Sequence, residues 1–503
     1  MKLEQIAALG SKLADFLKRF TDCFKREKCQ DLMQAYVSGQ LSSCQRKSIE
    51  PMALAVGVAP RTLQRFVESL PWDEEKLRDC CQVIVAQDHS HPQAIGLVDE
   101  SGTAKSGNDT AGVARQWCGR TGKVDNCTVA VHTCYATPDF HCLLDSDQYL
   151  PQAWVQDRER REKAHIPEDV VFRTKPQIAQ AQIGHALANG IWVAAWTFDE
   201  AYGRDPNLLD FLDRHEQTFV GEVPANFRGW VRTPVVLCQA PKNASRRSRR
   251  KKYPRVARKI PACEVQNLVR YSPVFRRQKW QRFHIKESDK GPVVWEVKWA
   301  RFYRQTAARL PSEPGCLIVA RNVLHPDEVK YFVANEVPQF HEETAAEQAG
   351  AETGEEAAVT LTWLLWVAFR RWPVEQCFRE SKNELGMDHY EVRGWRCIHR
   401  HYYLTQLTHL FCARIRQEYA ATPDVGELTV QQVRRAVNTW LATWDLPPAA
   451  RQRRLKQEEK TQEYYQRRND HAHKSHTKTR TEQLLALGVD VKDLPCCIPT
   501  DSS

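Results

Sequence analysis

The stretch IGLVDESGTAKSG, residues 95–107, runs apolar residues straight into Asp99 and Glu100, with Gly102 two positions later. A carboxylate costs free energy to bury unless something pairs with it. An acid at the tip of a buried strand therefore caps a turn or holds a cation, and the glycine would let the chain turn away. WVAAWTFDEAYG, residues 192–203, repeats the logic with Asp199, Glu200 and Gly203. Two carboxylates brought close repel, and a divalent cation is the common remedy. Magnesium suits hard oxygen ligands and works beside substrate phosphates. Alternation along a strand turns Glu100 and Glu200 to the face opposite their aspartates.

A third acid is expected in RRWPVEQCFRESKNELGMDHYEVRGW, residues 370–395. On a helix, Arg371, Glu375, Arg379 and Lys382 form one stripe. An acid flanked by cations suits a metal ligand with phosphate clamps, although a surface ion-pair ladder has the same spacing. Glu380 and Glu384 are rivals to Glu375, with Glu380 facing away from the stripe. Lys105 follows the first acid closely enough to touch phosphate, and His132 reads as a packed histidine.

The elements that must position these residues are legible in the periodicity. Residues 1–88 read as a helical, DNA-binding domain. Within it SIEPMALAVGVAPRTLQRFVES has a helix-turn-helix outline, with Arg61 and Arg65 on the second helix. Residues 89–224 alternate strands and helices, the first part of a mixed α/β sheet with helices on its faces. Residues 225–340 are β-like and tryptophan-rich, an insertion domain. An acidic linker (341–358), a helical segment with the third acid (359–450) and a basic C-terminal tail (451–503) complete the chain.

The bulk properties fit this organisation. The chain has 503 residues, 42% hydrophobic and 27% charged, which excludes a mostly disordered protein. No apolar run approaches the length of a membrane span, and the amphipathic N-terminus does not read as a signal peptide. Seventeen cysteines include the adjacent pairs Cys80–Cys81 and Cys496–Cys497 but no facing CxxC units. Free thiols in a reducing, cytoplasmic compartment are expected rather than disulfides or zinc. Net charge is +10, and two segments concentrate it. Residues 241–259 hold ten Lys or Arg and no acid, among them Arg246, Arg247, Arg249, Arg250, Lys251 and Lys252. Residues 451–480 hold ten more with four acids. Such clusters neutralise phosphate and point to a polyanion partner.

In three ordered blocks the chain resembles the DDE transposases of bacterial insertion sequences, in the branch whose RNase H-like domain is interrupted by a β-strand insertion. GLVDESGTAKSG with GVARQWCGRTGKVDNCTVAV resembles the first-acid block, TFDEAYG the second, and residues 370–395 the third, with the Arg-x3-Glu-x6-Lys pattern at Arg371, Glu375 and Lys382. Ala368 stands where that pattern usually begins with tyrosine. The resemblance implies Asp99, Asp199 and Glu375 as ligands of two Mg2+ or Mn2+ ions, which stabilise the attacking and leaving oxygens of an in-line phosphoryl transfer. It implies nicking at the element end, attack by the freed 3′ hydroxyl, and DNA-backbone contacts from Arg371 and Lys382, with Arg379 and Lys105 as further candidate DNA contacts. The partners implied are double-stranded terminal-repeat and target DNA and a second copy of the chain, at the bacterial nucleoid and with no membrane. Trp230, Trp280, Trp295 and Trp299 are stacking candidates for a flipped base, or core residues. An aspartic protease is excluded because Glu100 splits Asp99 from Ser101 and Gly102. A glycosidase has no need of two arginine-rich segments. The remaining rival is a catalytically silent DNA-binding protein derived from a transposase.

Overall fold

The computed structural model describes residues 1–239, 252–257, 260–339, 359–420 and 428–497. The expected acidic linker, and Arg246, Arg247, Arg249, Arg250 and Lys251 of the first basic cluster, lie outside the described residues. The chain divides into two units, Met1–Ala194 with Trp372–Asp470, and Ala195–Arg371 with His471–Ser503.

The first unit begins with five helices, α1 (Leu3–Lys18), α2 (Glu27–Leu41), α3 (Ile49–Ala55), α4 (Pro60–Glu68) and α5 (Glu74–Asp88). In α1 the buried residues Ile6, Leu9, Leu13, Phe16 and Leu17 recur at helical spacing and make one apolar stripe. Gly57, at φ 70°, lies between α3 and α4, in the left-handed region where a side chain is strained. Asp73 starts α5 by accepting the Lys76 N–H at 2.9 Å.

Four strands follow: β1 (Ile95–Ala104), β2 (Ala114–Cys118), β3 (Lys123–Ala136) and β4 (His141–Gln148), with β3 pairing antiparallel to the other three. The last ten residues of β3 are all buried, on both faces, which accounts for a run that is mostly apolar rather than alternating. One correction concerns the first acid. The strand does not end at Asp99, because β1 stays in register with β3 from Ile95↔Ala136 to Ala104↔Cys127. Gly102 makes no turn; a Cβ there would meet Cys118 Sγ of β2 at 2.9 Å. The glycine is required by close approach of a neighbouring strand.

Helices cover the sheet. The Lys175–Ala188 helix is opened by a capping box between Thr174 and Gln177, and its Gln182 Nε2 donates to Val131 O at 2.9 Å. The Trp395–Ala420 helix is buried around most of its circumference and forms the centre of this unit. Several of its polar side chains are paired across the interior. His401 Nδ1 lies 2.7 Å from Tyr36 Oη, and Gln406 Nε2 donates to Leu144 O at 2.7 Å.

The second unit starts with the short strand β5 (Ala195–Phe198), parallel to β6 (Phe219–Val223), with the Pro206–Arg214 helix in the connection. Beyond β6 the strands Val329–Ala334, Gly315–Asn322 and Val293–Arg304 add in antiparallel order. Gln281–Lys286 and Arg228–Trp230 both pair with Val293–Arg304. The buried Arg304 anchors this layer, donating to Asp210 Oδ1 at 2.6 Å and to Asp213. The C-terminal basic stretch is not a loose tail, because Pro448–Ala486 is one helix. Overall the fold is a mixed α/β one, with a large mixed sheet flanked by helices. Among the described residues no helix is long and apolar enough to cross a membrane.

One buried acid on β4 makes the first unit sensitive to pH. Burial, reinforced by the nearby Asp147 carboxylate and opposed by Arg78, pushes Asp145 up to about 6. The native state thus keeps this proton in a range where the unfolded chain has released it. The sign follows: stability falls as pH rises from about 4 to about 6, by roughly 2–3 kcal/mol. Asp145→Asn is expected to remove that loss. Denaturant midpoints at pH 4 and pH 7 check it, with the variant gaining on wild type at the higher pH.

Candidate active site

Asp99 lies within β1, half-exposed, and its Oδ1 accepts the Glu100 N–H at 2.7 Å. It stands directly opposite His132 of β3, so the two side chains share a sheet face. Glu100 points the other way and pairs with Lys175 at 2.5 Å. Alternation therefore separates the two acids as their spacing demands. His132 is fully buried between Ser101 Oγ at 3.0 Å and Ser146 Oγ at 2.8 Å. Burial, aided by Lys382, lowers its pKa to about 3, so it is a neutral packing residue.

Glu375 lies in the first turn of the Trp372–Asn383 helix and is exposed. The N-terminal end of a helix is a favourable place for a carboxylate. The opposite side of this helix buries Val374, Cys377, Glu380 and Ser381. Phe378 sets its ring 4.9 Å from that of His132. The helix of Glu375 is thereby docked on the sheet face that carries Asp99. The rival acids are engaged inside the protein. Glu380 is buried against two histidines, and Glu384 pairs with Arg434 at 2.8 Å.

Asp199 belongs to the second unit. It follows β5 and caps the Glu200–Gly203 helix, its Oδ1 accepting the Ala201 N–H at 2.9 Å and the Tyr202 N–H at 3.3 Å. Gly203 allows the close passage of β6, since a Cβ there would lie 2.0 Å from Glu222 O.

The cationic residues are placed unevenly. Arg371 precedes the Trp372–Asn383 helix rather than lying on it, and donates to Glu222 Oε2 at 3.3 Å. The stripe on the helix itself is Glu375, Arg379 and Lys382. Lys382 Nζ donates to Gly102 O at 3.1 Å, and burial lowers its pKa. Lys105 Nζ donates to Tyr390 O at 2.7 Å and lies 3.4 Å from the Tyr390 ring, with burial lowering its pKa to about 8. Arg61, Arg65 and Lys252 are exposed.

Trp230 and Trp295 are core residues, only 4% exposed, the first donating to Ile260 O and the second packed on Phe369. Trp280 is half-buried, with the Lys298 and Arg321 cations 4.9 and 4.4 Å from its ring. Trp299 is also half-buried. Trp372 escaped the sequence reading. It is 43% exposed, three residues before Glu375, with the Arg379 guanidinium 5.9 Å from its ring. A tryptophan one helical turn ahead of an exposed acid was the available signal.

Residues 19–292 match the sequence model of the DDE superfamily endonucleases. The chain belongs to this family. The match spans Asp99 and Asp199, while Glu375 lies beyond it. A probable transposase for insertion sequence element IS701 from Microchaete diplosiphon is 29% identical over 192 residues, 37% of this chain and 47% of that protein. The chain thus spans about half the length of the curated relative it matches. Its half-exposed Asp99 and exposed Glu375 offer the hard, all-oxygen donors that divalent metals of this superfamily take.

Proposed function

We propose that this protein is a DNA transposase that binds the ends of an insertion sequence and catalyses strand cleavage and strand transfer in cut-and-paste transposition. The observation that carries the proposal is the docking of the Glu375 helix on the sheet face of Asp99, in a chain of the DDE family. Asp99, Asp199 and Glu375 are the proposed catalytic acids. Two magnesium or manganese ions held by them would supply charge neutralisation at the attacking and leaving oxygens of the phosphoryl transfer.

The remaining work falls to the protein's own side chains. Arg379 and Lys382, on the helix of Glu375, hold the phosphate backbone and set its register without reading sequence. Lys382 is held in place by the Gly102 carbonyl. Trp372 offers an exposed aromatic face for an unstacked base beside the acid. Arg61 and Arg65, on the second helix of the α3–α4 pair, address terminal-repeat DNA together with the basic cluster that includes Lys252. The partners are double-stranded element ends and target DNA, bridged by a homodimer in the bacterial cytoplasm at the nucleoid.

Labelled duplex DNA carrying the sequences that flank the gene tests the proposal. Nicking at the element boundary that requires magnesium or manganese is the expected result. Tight, salt-dependent binding with no cleavage in either metal would replace it with a catalytically silent, transposase-derived DNA-binding protein.

A further inference from the structure

The helix that presents Glu375 to solvent turns a second set of groups inward. Cys377 and Glu380 face His141, at the start of β4, and His409, on the Trp395–Ala420 helix; all four side chains are buried. Donor atoms of His141, Cys377 and His409 lie within 4.8 Å of one another. Glu380 Oε2 is 3.0 Å from His141 Nε2 and 3.0 Å from His409 Nε2. Its Oε1 accepts from Gln376 Nε2 at 2.8 Å, with Arg416 Nη1 at 3.7 Å. His409 Nδ1 has no hydrogen-bond partner, though the residue is fully buried.

A hydrogen-bonded ion cluster accounts for Glu380 and its histidines. It leaves a buried imidazole nitrogen unsatisfied, which is costly, with the Cys377 thiol, itself beside Cys134, within reach of the same histidines. A metal ion would satisfy that nitrogen and use the thiol as a second donor. We propose that His141, Cys377 and His409 bind a zinc ion that ties the helix of the third acid to β4 and to the central helix. A thiolate with two imidazoles is a donor set that zinc prefers and magnesium does not. Metal-bound histidines commonly donate their other N–H to a carboxylate, which fixes the tautomer. Glu380 stands in that position for His409, whose Nε2 it holds while Nδ1 points free. Arg416, with Nη1 and Nη2 each 2.9 Å from a ring nitrogen of His141, moves off one of them when the ion enters. The site is buried away from solvent, so its role is structural, distinct from the exposed carboxylate chemistry of Glu375.

Full-length protein purified after growth with zinc should retain one equivalent per chain through dialysis. After exchange with cobalt it should show a thiolate-to-cobalt charge-transfer band. Cys377→Ser and His409→Ala should lower metal affinity at least about tenfold. Cys397→Ser should leave both the stoichiometry and the band unchanged. No retained zinc and no cobalt–thiolate band in wild type would overturn the proposal. Should the variants fail to fold, alkylation of wild-type Cys377 decides. Zinc-dependent protection supports the site, and equal labelling with and without chelator refutes it.

Discussion

Glu375→Gln is expected to lower metal-dependent DNA cleavage by about a thousandfold or more, with DNA affinity changed by less than about threefold. The substitution keeps the shape of the side chain and removes only its charge. That charge sits at the exposed start of a helix, flanked on the same face by Arg379 and Lys382. Folding has little stake in it, so loss of activity reports chemistry rather than collapse. Asp99→Asn and Asp199→Asn are expected to match it, because the three acids are proposed to act as one set and their losses should not add. Single-turnover cleavage, run beside a gel-shift titration, separates the step from binding. Cleavage that survives Glu375→Gln but fails in Glu384→Gln would move the third acid to Glu384. The structure argues against that outcome, since Glu384 is only 14% exposed and paired with Arg434.

The second large effect is on stability, at Arg400. This guanidinium is fully buried on the Trp395–Ala420 helix. Nη1 donates to the carbonyls of Phe66 and Val67 at 3.3 Å each and of Leu70 at 3.0 Å, where α4 ends. Nη2 donates to Trp72 O at 3.0 Å and to Glu74 Oε2 at 3.1 Å, and the fork lies 4.4 Å from the Trp72 ring. Positive charge at a helix C-terminus is favourable, and here it also satisfies buried and part-buried backbone carbonyls. Arg400→Ala leaves those carbonyls and Glu74 without their cation and should cost about 3–5 kcal/mol. Arg400→Lys should recover little, because a single ammonium cannot reproduce the fork. Equilibrium denaturation measures both. A loss below about 1 kcal/mol for Arg400→Ala would show that α4, with Arg61 and Arg65, is held to the central helix by apolar packing alone.

Much of the fold was legible because local chemistry and tertiary environment agree. The apolar stripe of α1, the Thr174 capping box and the long buried run of β3 each state their secondary structure in their own residues. The separation of Asp99 from Glu100 followed from strand alternation, and the structure gives Glu100 its own partner in Lys175. Three details went the other way for reasons no local pattern holds. Gly102 looks like a turn and is a strand residue, because what it accommodates is Cys118 on another strand. Arg371 has helical spacing to Glu375, yet the helix starts one residue after it. The exposed C-terminal stretch, rich in charge, is a helix of 39 residues.

By itself, then, the sequence determined the periodic elements, the three acidic blocks and the basic segments, since each is a matter of near neighbours along the chain. Only the tertiary structure decided which polar groups face one another in the interior. Glu380 and His141 are 239 positions apart and lie 3.0 Å from each other. No spacing rule announces such a pair. It exists because the sheet, the helix of the third acid and the central helix pack on one another, and burial makes an unpartnered polar group between them costly.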